Sequence, residues 1–387
     1  MKISKNVNNL GTELVYDIFA KTKKLESEGK KIFDLSLGQS AESPPTHVIE
    51  ATIKALKDGN NGYTVPNGIL ECREAVSRKI KKLYNADISP ERIFIMPGGK
   101  PTMHYAISFF GEPGAEIIYP DPGFPIYESM IKFTGAKPVP YNLNDENDFN
   151  INVEKILSLI NDKTRLLIIN NPHNPTGSFT EKPMIDKLAA GLLNFPNVAI
   201  LSDEIYGRLL FEKKKFPTFL NYPDLYDRLI VLDGWSKSYA MTGWRLGWGV
   251  WPQKLVKHLF KFCVNNHSCV NAAIQYGAIA ALDGPDDSIY AMIEKFILRK
   301  NLIYNGLNKI NGIKSVEPKS GFFIFPNVKG TGMNGNQFAE KCLNEAGVAV
   351  IQGTAFGKFA VNNVRINFTT SEEKIYNALD KIEKILN

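Results

Sequence analysis

Short apolar runs recur along the first three quarters of this chain, each closed by glycine, proline or asparagine. Residues 92–96, 116–120, 165–169, 198–202, 229–234 and 246–251 read as strands. Their apolar residues are continuous, not alternating, as in strands buried on both faces. Helical spacing fills the intervals. Leu14, Ile18 and Leu25 stand among charges in 11–29, a helix is expected over 46–58 with Thr46 as its N-cap, and another over 103–110. Residues 253–282 read as one helical region, Gly284-Pro285 as a break, and 288–310 as a long helix. Beyond it, strands are expected at 322–325, 348–351 and 363–368, with a helix at 337–344. A short strand at 32–38 ends on Gly38. Alternation of strand and helix predicts an α/β protein.

Composition changes this picture little. The 387 residues are 44% hydrophobic and 22% charged, an ordinary globular balance. Net charge is +6, and the basic clusters at 21–24, 79–82 and 213–215 are scattered among acids, so they read as solvated faces and no nucleic-acid partner is expected. Four cysteines without a CxxC and five histidines without an HExxH give no metal site, and free, mostly buried thiols are expected. Residues 1–10 are polar and carry no apolar signal core. No apolar stretch approaches the roughly 20 residues that span a bilayer. These features predict a cytoplasmic protein without a membrane partner.

Candidate chemistry gathers where strands end. After the run 229–234 comes Ser236-Lys237-Ser238-Tyr239-Ala240-Met241-Thr242-Gly243-Trp244-Arg245, with no carboxylate between Lys237 and Arg245. A lysine at the mouth of an apolar strand loses solvation, which lowers its pKa and frees its amine to attack a carbonyl. Arg245 offers a planar donor fork suited to phosphate. A nucleophilic lysine beside a phosphate anchor is what a pyridoxal phosphate Schiff base needs. Four more strand ends carry comparable turns: Gly98-Gly99-Lys100, Asp121-Pro122-Gly123-Phe124-Pro125-Ile126-Tyr127, Asn171-Pro172-His173-Asn174-Pro175-Thr176-Gly177 and Asp203-Glu204-Ile205-Tyr206. In open α/β sheets ligands sit at the carboxyl ends of strands. One rival motif stands apart. Gly330, Gly332 and Gly335 have dinucleotide-loop spacing between a strand and a helix, but Pro326 interrupts the approach and no acid follows about 20 residues on.

These five segments, in this order, resemble the class I/II aminotransferases of fold type I, over about residues 32–370. The resemblance implies a large lobe, 46–285, with a mostly parallel seven-stranded sheet sandwiched by helices. It implies a small α+β lobe of residues 1–45 and 286–387. It also implies pyridoxal 5'-phosphate as cofactor, bound by Lys237, with Gly99, Lys100, Ser236 and Arg245 toward its phosphate. Asp203 would face the ring nitrogen, Tyr206 and Asn174 the ring oxygen, and Phe124 the ring face. Gly38, Asn174 and Arg365 would meet the substrate carboxylate. Tyr63 would reach a partner subunit's cofactor phosphate across a homodimer. Lys237, Asp203 and Tyr206 are the expected catalytic residues, moving an amino group from an L-amino acid to a 2-oxo acid in ping-pong fashion. A pyridoxal phosphate lyase, cyclase or oxidase would use the same residues. A cofactor-sensing transcription regulator would need a further DNA-binding domain. Ser40-Ala41-Glu42-Ser43 departs from the family's loop, and no motif names the donor.

Overall fold

A computed structural model describes residues 1–387. Twelve strands form three sheets. The largest contains β2 (Ile93–Met96), β3 (Glu116–Asp121), β4 (Lys137–Asn142), β5 (Thr164–Asn170), β6 (Ala199–Asp203), β7 (Leu229–Gly234) and β8 (Gly247–Val250), in the order β2-β8-β7-β6-β5-β3-β4. Only β8 runs against its neighbours. The continuous apolar runs have a simple cause. Alternate side chains of one strand enter different cores: Ile93 and Ile95 join the core beneath helices Leu70–Tyr84, Lys182–Leu192 and Ala272–Asp283, whereas Phe94 and Met96 join the core beneath Lys100–Phe110, Ile126–Thr134 and Val256–Asn266.

The remaining strands are short. β1 (Phe33–Asp34) pairs in parallel with β10 (Val348–Ala349). β9 (Phe323–Ile324), β11 (Ile351–Gln352) and β12 (Val364–Asn367) form an antiparallel sheet with β12 in the centre. A third core lies among these strands and helices Asp287–Leu307 and Glu372–Leu386.

Two expectations need correction, and the glycine motif set aside above has its explanation. Thr46 is the first residue of helix Thr46–Lys57, not its cap. Pro45 occupies the cap, and its side chain has no oxygen with which to bond the first turn. The region 253–282 is two helices, because Ser268 takes a left-handed conformation (φ 59°) and Asn271 then caps Ala272–Asp283 by accepting from the Ile274 amide at 3.1 Å. The glycines at 330–335 serve close backbone approach. A Cβ on Gly330 would lie 2.7 Å from the Gly312 carbonyl oxygen, and one on Gly335 2.1 Å from that of Asn363. The strands flanking them, β9 and β10, lie in different sheets, so no dinucleotide-binding βαβ unit exists here. All four cysteines are free, and only Cys269 is not fully buried.

Candidate active site

The carboxyl ends of β5, β6 and β7 open into a cavity of ≈ 480 Å³. A larger cleft of ≈ 740 Å³, bordered by Asp145, Glu181, Lys214 and Lys319, receives none of the candidate residues. Lys237 projects into the smaller one from the single turn Trp235–Ser238, directly after β7. Its Nζ donates to the Gly38 carbonyl at 2.7 Å and lies 5.9 Å from the Tyr206 ring and 5.6 Å from that of Phe322. Burial, reinforced by the positive charges of Arg365 and Arg245, pushes its pKa down to about 8. Ser236, which is buried where Lys237 is half-buried, lines the cavity one residue earlier.

Asp203 ends β6 and is buried. Its Oδ2 accepts from the Tyr127 hydroxyl at 2.6 Å and its Oδ1 from the Ile205 amide at 3.3 Å. Burial raises its pKa to about 6, and the Tyr127 bond opposes that rise. Tyr206, three residues on, packs edge-on against Phe322 and Phe323, and burial pushes its phenol up.

Arg365 lies on the central strand β12 and is only 3% exposed. Phe323 and Phe356 cover its guanidinium, with ring centroids at 4.3 and 4.6 Å. Its Nη1 donates to Asn174 Oδ1 at 3.1 Å and its Nη2 to the Ser36 carbonyl at 2.9 Å, while Nε has no partner. No carboxylate pairs with it, and burial lowers its pKa to about 10. A buried cation held only by neutral oxygens is an anion receptor in waiting.

The glycine turn after β2 is shaped by backbone contacts. Gly98 has φ +91°, and a Cβ there would sit 2.3 Å from Arg245 Nη2. A Cβ on Gly247 would fall 2.6 Å from the Gly98 carbonyl carbon. Gly99 starts the helix Lys100–Phe110 without a side-chain cap, leaving its first amides for an anion. Arg245 is exposed and donates from Nη1 to the Thr242 carbonyl at 2.7 Å. Phe124 lines the cavity and meets Tyr127 at 5.9 Å in a T-shaped contact. The Lys100 side chain is not free, because it pairs with Glu13. Thus Gly38, Gly99, Lys100, Phe124, Asn174, Asp203, Tyr206, Ser236, Lys237, Arg245 and Arg365 all line one cavity. Tyr63 does not, and is 94% exposed on a loop outside it.

Sequence reasoning gave no role to Tyr127, Ser36, Phe356 or Glu13. Tyr127 closes the proline-rich turn at 121–127 and could have been found there. The others come from distant parts of the chain with no local pattern. Together the donors suit a ligand with a phosphate at one end, a protonated ring nitrogen opposite Asp203, and a carbonyl within reach of Lys237. The open helix start and the exposed Arg245 guanidinium meet the first need, the buried acid Asp203 the second and Lys237 the third, so pyridoxal phosphate fits.

The family model for aminotransferase class I and II matches residues 30–382. The chain is 34% identical to an aspartate aminotransferase of Pyrococcus abyssi, over 92% of each protein. It is 34% identical to aromatic-amino-acid aminotransferase 2 of Thermococcus litoralis, over 93% of this chain and 95% of that protein. Among solved structures, the aspartate aminotransferase of Rhizobium meliloti superposes with a TM-score of 0.95 at 28% identity, covering 100% of this chain and 99% of that one. The fold-type I architecture expected from the motifs is the one observed.

Proposed function

This chain belongs to the class I and II aminotransferases, pyridoxal phosphate-dependent enzymes that transfer amino groups, and we propose that its own cavity binds that cofactor and carries the transfer from an L-amino acid to a 2-oxo acid. Lys237 would hold the cofactor's aldehyde carbon. Gly99, Lys100 through its amide, Ser236 and Arg245 would hold the phosphate, Asn174 and Tyr206 the ring oxygen, and Phe124 the ring face. Bound there, the cofactor supplies an electron sink for the substrate Cα.

The protein's residues do the rest. Arg365 grips the α-carboxylate through two parallel hydrogen bonds, with Asn174 and the Gly38 segment beside it, and so fixes the direction of the Cα–H bond. Freed when the donor's own amine replaces it on the aldehyde carbon, Lys237 Nζ would take that proton. A base must be neutral, and a pKa of about 8 leaves about a tenth of the amine neutral at pH 7, against about one part in three thousand at the unperturbed 10.5. Asp203 stays ionised above pH about 6 and stabilises a protonated ring nitrogen, held in place by Tyr127. Phe323 and Phe356 exclude water from the Arg365 contact. The same reading takes 46–285 as the cofactor lobe, 1–45 with 286–387 as the small lobe, and a cytoplasmic homodimer as the working form.

The lowered pKa of Lys237 in a cavity shared with Asp203 and Arg365 carries the proposal. Its test is a single-turnover screen of the twenty amino acids against loaded enzyme, following cofactor absorbance and the released acid by mass spectrometry. A 2-oxo acid formed in stoichiometric amount, with nitrogen left on the enzyme, is expected. Release of ammonia or carbon dioxide in its place would assign a lyase or decarboxylase.

A further inference from the structure

The stiff turn at 121–127 reaches beyond the cofactor side of the cavity. Asp121, the last residue of β3, is only 1% exposed. Backbone amides alone meet its carboxylate: Oδ2 accepts from Lys358 at 3.2 Å and Oδ1 from Phe359 at 3.3 Å, 237 and 238 positions away. Both amides lie in the loop that joins β11 to β12, the strand of Arg365. Gly357, next to them, has φ +146°, and a Cβ there would sit 1.9 Å from Asp121 Oδ1, so backbone and carboxylate meet with no side chain between them. A further bond runs the same way, from the Gly123 amide to the Phe356 carbonyl at 2.7 Å. Burial raises the Asp121 pKa to about 6, and the two loop amides oppose that rise. Phe356 is the ring whose centroid lies 4.6 Å from the Arg365 guanidinium, braced edge-on by Phe325 at 6.0 Å.

A buried carboxylate held by two amides fixes the segment that supplies them, since such bonds are about twice as strong as neutral ones. Here that segment presents Phe356. We infer that Asp121 is a positioning residue for the Arg365 site: it fastens the loop between β11 and β12 so that Phe356 stays over the guanidinium and the substrate's α-carboxylate is bound out of water. This rests on the reading of Arg365 as the α-carboxylate anchor. Attraction between two charges falls steeply as water enters. The Gly123 bond holds the ring's own residue, and the Asp121 bonds hold the two residues after Gly357. Asp121 does not line the cavity, so its effect on substrate passes through the loop. Every donor shares the α-carboxylate, so the effect is the same whatever the side chain.

Binding of unreactive acids tests this without relying on turnover. Cofactor-loaded enzyme at pH 8, where Asp121 is ionised, is titrated by calorimetry with hexanoate and with 3-phenylpropionate, which carry one carboxylate and no amine. Asp121→Asn keeps the size, removes the charge and turns a donor toward one of the two amides. It should weaken both acids by roughly tenfold, about the worth of one charged hydrogen bond, with cofactor affinity unchanged. Gly357→Ala drives a methyl into the same carboxylate from the loop's side and should reproduce the loss even where Asp121→Asn folds poorly. Phe356→Leu should weaken both acids too, and combined with Asp121→Asn it should lose little more than the larger single loss, because both act at one step. Hydrogen exchange read by mass spectrometry should show residues 353–363 opening faster in Asp121→Asn. Donor kinetics should show a raised KM with kcat nearly unchanged. Wild-type affinity in Asp121→Asn and Gly357→Ala, losses that add in the double variant, loss for only one acid, or cofactor affinity that falls in step with the acids overturns the inference. Arg365→Lys tests the reading beneath it. If that variant binds both acids like wild type, the anchor assignment fails and the inference falls with it. If it binds both weakly while Asp121→Asn does not, the anchor stands and only the positioning role is lost.

Discussion

Lys237 owes its chemistry to neighbours that its sequence context only partly reveals. Replacing it with Ala should lower kcat by at least about 10²- to 10⁴-fold, the usual contribution of a positioned base, while cofactor is still retained noncovalently. Absorbance of the purified variant and its single-turnover rate check both halves. The depressed pKa also has a stability consequence. The folded value of about 8 lies below the unfolded 10.5, so between them the unfolded chain binds more protons and the cofactor-free protein gains stability as pH rises. Denaturation midpoints at pH 8 and 10 should show that gain in wild type and a smaller one in Lys237→Ala. Tyr127 makes the second residue-scale case. Its hydroxyl holds the Asp203 pKa down against burial, so Tyr127→Phe should raise it above about 6. The acid limb of the kcat/KM profile would then move to higher pH, with the alkaline limb unchanged. An acid limb that stays put would separate Asp203 from the rate. Lys237, Asp203 and Asn174 were legible because each sits in a long turn whose residue types are chemically unusual at a strand end. Ser36, Phe356 and Glu13 were not, since carbonyls, phenyl rings and helix-start acids occur everywhere. Only the fold brings Glu13 to Lys100, 87 positions away.

Elements differ in how plainly they announce themselves. Six strands of the seven-stranded sheet were readable because both faces are buried, which forces continuous apolar runs; β4, an edge strand with two prolines and exposed ends, was not. β9, β10 and β11 are two residues each; the expected runs 322–325 and 348–351 fall on them, but their bounds and pairing came only with the fold, and β9 and β10 lie in different sheets, as expected from setting the nucleotide-loop reading of the glycines aside. Strand β12 is the decisive element for function. Alternation around Arg365 fits an exposed edge as well as a buried centre, and the sheet order settles it: β12 lies between β11 and β9. A central position with Phe323 and Phe356 over the guanidinium leaves a lysine no way to reproduce two parallel hydrogen bonds. Arg365→Lys should therefore weaken kcat/KM by about 30- to several-thousand-fold, the 2–5 kcal/mol of a broken buried charge pair. The loss should be similar for every amino acid, with cofactor affinity barely changed. A steady-state comparison of several donors checks it, and selective loss for one side chain would contradict the anchor role.

At the scale of the whole molecule, Tyr63 stands apart from the other expected site residues. It is 94% exposed, yet its loop is well tethered: the Thr64 amide donates to Cys269 Sγ at 3.5 Å, and Gln275 Nε2 donates to Thr64 Oγ1 at 3.2 Å. An aromatic ring held bare on a fixed loop suits a second subunit better than solvent. Val65, Leu70, Phe262 and Val264 are exposed as well, and so is Arg245, the proposed phosphate anchor. A twofold dimer in which each Tyr63 hydroxyl completes the other subunit's phosphate site accounts for these features together. Mixing subunits can decide the matter. In a hybrid of one Lys237→Ala chain and one Tyr63→Ala chain, the lysine of the second chain would face the intact tyrosine of the first, giving one whole site. If Tyr63 served its own chain, that hybrid would hold none. Random pairing makes half of the dimers hybrids, so a one-to-one mixture at limiting cofactor should recover about a quarter of wild-type activity, well above either parent. Light scattering at the same concentration must show dimers. Recovery no greater than the average of the two parents would mean that Tyr63 does not act across an interface, and the proposed assembly would have to be abandoned.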